Sequence, residues 1–438
     1  MPKYGLFVNG IGKSNRDQKA FDDLVGMDIH SIPGVAYASS ALEKDSGETV
    51  TELCKAVAVD TDSGNSWWFS VASGKIWKRT LTGTWTLDHT NTTGANLGAE
   101  YFNGKIYYAS ATNLGQYDIS GNTWNDSFAA FTNDDAKYKP MRRQHLELYI
   151  GDGNLVANVD EAHVFTANAL DLQPHQRVTA IEPFKYLSLC IGTIVSGNIN
   201  EAGIFNWDTF SPSWNTEDRV PERGVNTLIT ADNNVFAWVG ISGNIYRYNG
   251  ETMTKWRNLR SSLLDAQMAN FGADDCATEF YGKSLLQTPQ GIYSIFSYDS
   301  ELPVVLNGEY TNSPGQGVTI GCMTSIGANL LSCWQSGATV GVDEVVSTRG
   351  IGIVTAPVAY GEFNNVIVKY DALPAGTSIG IETKINGESW VEKTAITDTV
   401  NRKVFFDGGL RDTTTMQARI TLNPSTTYTP TIDYIEYE

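Results

Sequence analysis

Helical periodicity is nearly absent from this 438-residue chain. Apolar residues seldom recur at the three-and-four spacing of a helix face. The best case is short: "SSLLDAQMANFG" at 261–272, with Ser262 as an N-cap and Asp265 three residues on. "NRDQKAFDDLVGM" near the start reads as a second helical turn, with Phe21, Leu24 and Val25 on one side. No window approaches the roughly 20 apolar residues that a membrane-spanning helix needs. Cysteine is scarce. Cys54, Cys190, Cys276, Cys322 and Cys333 are widely spaced and form no CxxC, which argues against a zinc ribbon or a redox dithiol and leaves small buried apolar residues. "MPKYGLFVNGIG" lacks the sustained apolar stretch of a signal peptide, so folding in a reducing cytosol is expected. Positive charge is also in short supply, with 31 Lys and Arg against 49 Asp and Glu and a net charge of −18. Such a field repels phosphate backbones. The densest basic groups, Lys75 with Lys78 and Arg79, and Arg142 with Arg143, are small, so tight nucleic-acid binding is not expected.

Catalytic signatures are missing as well. There is no G-x-S-x-G elbow, no H-E-x-x-H and no phosphate-cradling G-x-x-x-x-G-K-[ST]. His30, His89, His145, His163 and His175 stand alone. His163 and His175, twelve residues apart, are the nearest approach to a metal pattern, and it is a weak one. Carboxylates are plentiful; Asp152, Asp160, Glu161, Asp274, Asp275 and Glu279 could each serve in a glycosidase pair. That chemistry needs two carboxyls about 5–9.5 Å apart across a cleft, which a sequence does not supply. A solvated acidic surface is the default reading. No residue is nominated as catalytic, cofactor-binding or metal-binding, and the chain reads as a non-enzyme.

What the chain does have is turns and strands. Of its residues 41% are apolar, 18% are charged and 41 are Gly. The phrase "SGKIWKRTLTGTWTL" (73–87) returns as "LGQYDISGNTWNDS" (114–127) and "SGNIYRYNGETMTKW" (242–256). Each has a small polar turn, alternating apolar and polar residues, a second turn and then Trp, which is the pattern of two short antiparallel strands. From residue 49 such units follow one another at roughly 40-residue intervals, the length of a β-propeller blade. About seven can be marked out. A four-stranded blade covers both faces only by packing against two neighbours. Trp67, Trp68, Trp77, Trp85, Trp124, Trp207, Trp238 and Trp256 then read as filler between blades, each able to bury about 150–250 Å².

The texture changes near Gly350. Beyond it, strands of period two are joined by Pro-Ala-Gly, Asn-Gly and Asp-Gly-Gly turns, and Asn386-Gly387 is a strong hairpin signal. Some 80 residues of this kind without a repeat predict a small β-sandwich. The expected organisation is all-β: an N-terminal arm over 1–48, a β-propeller of about seven blades over 49–352 and a β-sandwich over 353–438.

Two resemblances add to this. "DTDSGNSW" (60–67) resembles the Asp-box turn of sialidase-like propellers, with Asp62, Gly64, Ser66 and Trp67 at matching places and Asp60 where the box has Ser. Such a turn is a folding device, closed by side-chain acceptors and a Gly. A calcium ion on Asp60 and Asp62 would lack its other oxygen ligands. More broadly, "GMDIHSIPGVAYASSALEKDSG…WWFSVASGKIWKRTLTGTW" and the closing "RITLNPSTTYTPTIDYIEYE" are similar to virion proteins of tailed bacteriophages. That resemblance implies a structural part of the tail or the head–tail end, such as a nozzle ring, partnered by other virion proteins and by copies of itself. A spike or fibre that meets a host-surface glycan is the alternative it implies, with a propeller glycosidase behind that. It places the chain in the virion, made in the host cytoplasm. No cofactor is expected.

Overall fold

The computed structural model describes residues 3–5, 21–32, 34–133, 135–185, 188–197, 199–259, 274–297, 304–361, 363, 365–397, 402–406 and 415–438. The chain forms two compact units. The larger holds 44–289 and 317–344, the smaller 1–43, 290–316 and 345–438.

In the larger unit, five four-stranded antiparallel sheets follow in chain order, each a simple meander. The first runs Cys54–Val59, Ser66–Ser70, Lys75–Arg79, Trp85–Thr90. The repeated phrases of the sequence are the third and fourth strands of three of these sheets: Lys75–Arg79 with Trp85–Thr90, Asn113–Asp118 with Thr123–Ala130, and Asn244–Tyr248 with Met253–Asn258. The hairpin Ala277–Phe280 with Lys283–Thr288, and the pairing of Thr319–Ile326 with Asn329–Ser336, continue the series. Burial falls from the second strands outward. Ser66–Ser70 and Asn234–Val239 are buried throughout, while Thr123–Ala130 alternates between exposed and half-buried.

The first strand of each set packs against the first strand of the next. Cys54–Val59 meets Gly98–Phe102, and the chain of contacts passes through Met141–Gln144, Gln176–Phe184, Val225–Ala231 and Ala277–Phe280 to Thr319–Ile326, which returns to Cys54–Val59. The ring is closed, and the fold is a β-propeller. At the closure the buried Lys55 Nζ donates to the Ile320 carbonyl at 2.5 Å. Gly321 is required there, because a Cβ on it would lie 2.5 Å from the Cys54 carbonyl oxygen.

Adjacent tryptophans fill opposite seams, because successive strand residues face opposite sides of a sheet. Trp67 packs with Phe69, Tyr101, Tyr108 and Tyr117 between the first and second sheets. Trp68 packs with Trp77, Trp85, Cys322, Leu331 and Cys333 between the first and the last. Truncating either to Ala would cost about 3–5 kcal/mol.

The smaller unit holds two six-stranded antiparallel sheets. In one, Thr431–Tyr437 is flanked by Asn365–Tyr370 on one side and by Lys3–Gly5 and Ala36–Ala38 on the other. In the other, Thr415–Asn423 lies between Ser378–Ile385 and Gly352–Thr355. Thr415–Asn423 alternates strictly, with Met416, Ala418, Ile420 and Leu422 buried. The Ala418 N–H donates to the Tyr437 hydroxyl at 2.9 Å, joining the two sheets. The stretch read as an arm therefore supplies strands to the same sheets as the stretch read as a sandwich.

One expectation is corrected. Leu24 and Val25 do not lie on a helical turn; Asp23–Val25 is a strand that pairs with Gly352–Thr355, Leu24 opposite Val354. Along Asp23, Leu24 and Val25 only Leu24 is buried, the alternation of a strand rather than of a helix face. The helix expected over 261–272 lies outside the described residues. Asn386-Gly387 turns with both residues at positive φ, as its hairpin signal requires.

Candidate functional site

The inner strands surround a cavity of about 450 Å³. One register position, the residue two before the end of each inner strand, contributes to its wall all the way round. That position is Val57, Glu100, Arg142 and Glu182 in the first four strands. It is Ile229, Thr278 and Thr324 in the last three. Antiparallel pairing with the second strand fixes the position: Glu100 is opposite Tyr107, Arg142 opposite Tyr149 and Thr278 opposite Leu285. Backbone period two then turns the same side chain of each repeat toward the axis.

Three acids and an arginine converge there. Arg142 Nη1 donates to Asp275 Oδ1 at 2.8 Å, and its Nε lies 4.0 Å from Glu182 Oε2. Glu182 Oε1 also accepts the Thr230 N–H at 2.9 Å. Burial pushes the Glu182 and Asp275 carboxyls above the usual range, and Arg142 opposes this in both. Glu100 differs. Its Oε1 accepts its neighbour's Tyr101 N–H at 3.0 Å, and no cation lies within hydrogen-bonding distance of it among the described residues. Burial pushes it up to about 7; Arg142 lowers it, Asp275 raises it further and Arg143 lowers it again. Arg143 stands exposed at the rim.

Of the acids singled out in the sequence, Asp275 and Glu279 line this cavity. Asp152 does not. It is buried against Lys139, 2.6 Å away, and caps the Thr132 and Asn133 N–H groups. Asp160 closes the turn that carries Glu161, accepting the Val164 N–H at 2.8 Å. Asp274 opens a short 3-10 turn, Asp274–Cys276, and its side chain lies outside the described set. Glu100 and Glu182 were not singled out, and Arg142 stood out only as half of a small basic pair with Arg143. Their signal was present, a charged residue at one fixed offset before the end of the first strand, and it emerges only once the repeats are put in register.

Asp60 makes an Asx turn. Its Oδ1 accepts the Asp62 N–H at 3.0 Å, its Oδ2 accepts the Ser63 hydroxyl at 2.5 Å, and Gly64 has φ +69°. Among the described residues no group of three or more His, Cys, Asp or Glu is placed to hold a metal ion. His163 Nδ1 is bonded to the Tyr107 hydroxyl at 2.7 Å. His89 bonds Asp126 at 2.8 Å while stacked on Trp124, with ring centroids 4.4 Å apart. All five cysteines are buried, and none is in a disulfide.

No protein-family model matches the chain, and no curated protein matches it in sequence. Among solved structures it is similar to the Cps50 (Swd1) β-propeller domain of Myceliophteria thermophila, with 10% identity, 69% of this chain and 99% of that chain covered and a TM-score of 0.48. It is similar to the RRP9 WD40 repeats, with 10% identity, 70% and 99% covered and a TM-score of 0.49. It is also similar to the Neurospora crassa Pan2 WD40 domain, with 9% identity, 70% and 95% covered and a TM-score of 0.45.

Proposed function

We propose that this chain is a non-enzymatic structural component of a tailed-bacteriophage particle, at the tail or the head–tail end. It acts there through the shape of a stiff propeller of about seven blades and a small β-sandwich. The observation that carries the reading is where the tryptophans go. Of the eleven, Trp67, Trp68, Trp77, Trp85, Trp207, Trp238 and Trp334 are buried, and the other four are half-buried. The aromatic surface is spent on seams between sheets, which stiffens the ring and leaves no exposed tryptophan platform for a sugar. The acidic balance agrees, because walls that do not hold phosphates let DNA pass. Copies of the chain and other virion proteins are the partners this reading requires. Mass spectrometry of purified particles tests it: the chain should be present at a fixed copy number, and its absence from particles would end the reading. A host-glycan role is favoured only by single exposed aromatics such as Phe210 and Tyr281, 77% and 67% exposed. It predicts that the isolated protein blocks adsorption.

A further inference from the structure

The charges of the central cavity do not balance. Four carboxyls line it, Glu100, Glu182, Asp275 and Glu279, against the guanidiniums of Arg142 and Arg143. Arg142 is taken up by Asp275 and Glu182. Arg143 is at the exposed rim. Glu100 is half-buried and lines the cavity, and among the described residues it makes no ion pair, in surroundings that penalise its charge. The Thr278 and Thr324 side chains stand at the same level, one register position in each inner strand. The volume lies within the roughly 300–1,000 Å³ of small-molecule sites.

We propose that the central cavity is a binding site for a primary alkylammonium group, held by the Glu100 carboxylate with hydroxyl oxygens of the wall. An ammonium supplies what the cavity lacks, one positive charge with three donors that need not match a fixed plane. A metal ion fits less well, since no three ligands are gathered for it among the described residues. The same chemistry has two sources, a free diamine or polyamine, or a lysine side chain offered by another protein. The site goes beyond the particle reading and does not depend on it.

Calorimetric titration of the full chain tests this, with putrescine in one arm and N-acetyl-lysine amide in the other. The titrations are run in about 150 mM NaCl, where the Debye length is ~8 Å and diffuse attraction to the acidic surface is screened. Saturable one-to-one binding is expected in at least one arm; tighter putrescine binding identifies a free amine, and tighter lysine binding a partner's side chain. Glu100→Gln should weaken binding at least tenfold, and Glu161→Gln, on an outer hairpin, should leave it unchanged. A second readout needs no variant. Burial raises the free carboxyl, which is partly protonated at neutral pH, and pairing with ammonium expels that proton. The apparent enthalpy should therefore differ between phosphate and HEPES buffers, whose ionisation enthalpies differ. Arg142, Arg143, Asp275, Glu182 and Glu279 are the other charges facing this site, and they are the same in both buffers. No saturable binding of either compound at millimolar concentration, or binding that Glu100→Gln leaves intact without proton release, overturns the proposal.

Discussion

Replacing Asp45 by Ala should loosen the seam where the last sheet of the propeller meets the first. Arg79 is buried there, 2% exposed. Its Nε donates to Asp45 Oδ2 at 2.9 Å, and its Nη2 lies 3.2 Å from Glu344 Oε1 in the last sheet. The Asp45 carboxyl also accepts the Trp85 indole N–H at 3.0 Å and the Gly47 N–H at 2.9 Å. Asp45→Ala strips three donors of their acceptor and leaves a buried guanidinium with one carboxylate, Glu344, and a long bond to the Thr80 carbonyl. Breaking a buried pair from one side costs about 3–5 kcal/mol, and the surviving Glu344 contact argues for the lower end, about 3 kcal/mol. For a unit of about 270 residues the unfolding entropy is roughly 0.6 kcal/mol/K, so the melting temperature should fall by about 5 °C. Removing both charges with Asp45→Ala/Arg79→Met should recover at least half of that loss, because no uncompensated cation remains. Burial raises the Asp45 carboxyl, but the Trp85, Gly47 and Arg79 donors outweigh it and hold it below its usual value. A depressed carboxyl contributes stability above its unfolded pKa of about 4, and loses it as pH falls through the folded value. The gap between wild type and Asp45→Ala should therefore close toward pH 3. Differential scanning fluorimetry from pH 3 to 8 reads all of this. A shift below 1 °C at pH 7, or a double variant less stable than Asp45→Ala, would refute the reasoning.

Glu100→Gln should leave the melting temperature unchanged near pH 4.5 and raise it at pH 8. Burial lifts the Glu100 carboxyl to about 7, so the folded state resists ionisation and loses stability as pH climbs from the unfolded value toward 7; equal melting at both pH values would count against it. Gly115→Ala should destabilise by about 1–3 kcal/mol by overpacking, since its Cβ would fall 2.3 Å from the Tyr108 ring, which a 2.5 Å bond to Asp126 pins in place; urea unfolding measures it. The native protein should react with Ellman's reagent at none of its five thiols and at all five in guanidinium, because every one is buried and burial raises the thiols of Cys54, Cys190 and Cys322.

The strands were legible because their signals are local. Alternation in "KIWKRT", paired turns and the Asn386-Gly387 dipeptide each act within a few residues, and the structure puts strands and turns where they indicate. The Asp60 turn was legible for the same reason: every bond that closes it lies within five residues. Leu24 was misread because three apolar residues in five positions fit a helix or a strand edge, and its distant partner Val354 decided the matter. The cavity was illegible for a related reason. Arg142 and Asp275 are 133 positions apart, and they meet through ring closure rather than through any local pattern. Only the common offset of Glu100, Arg142 and Glu182 before their turns foreshadows that meeting.

In the smaller unit, Thr431–Tyr437 is the strand on which Asn365–Tyr370, Lys3–Gly5 and Ala36–Ala38 all dock. During synthesis those three segments leave the ribosome with their shared template still untranslated. Ala36–Ala38 can pair early with Met27–Asp28, and Asn365–Tyr370 with Arg402–Phe406, but their ladder hydrogen bonds to the shared template wait for residue 437, whereas the neighbouring sheets of the ring can zip up as soon as each emerges. A premature stop anywhere in the last dozen codons before that point would therefore spare most of the ring and strand the early segments, handing quality control a half-finished molecule with bare β-edges.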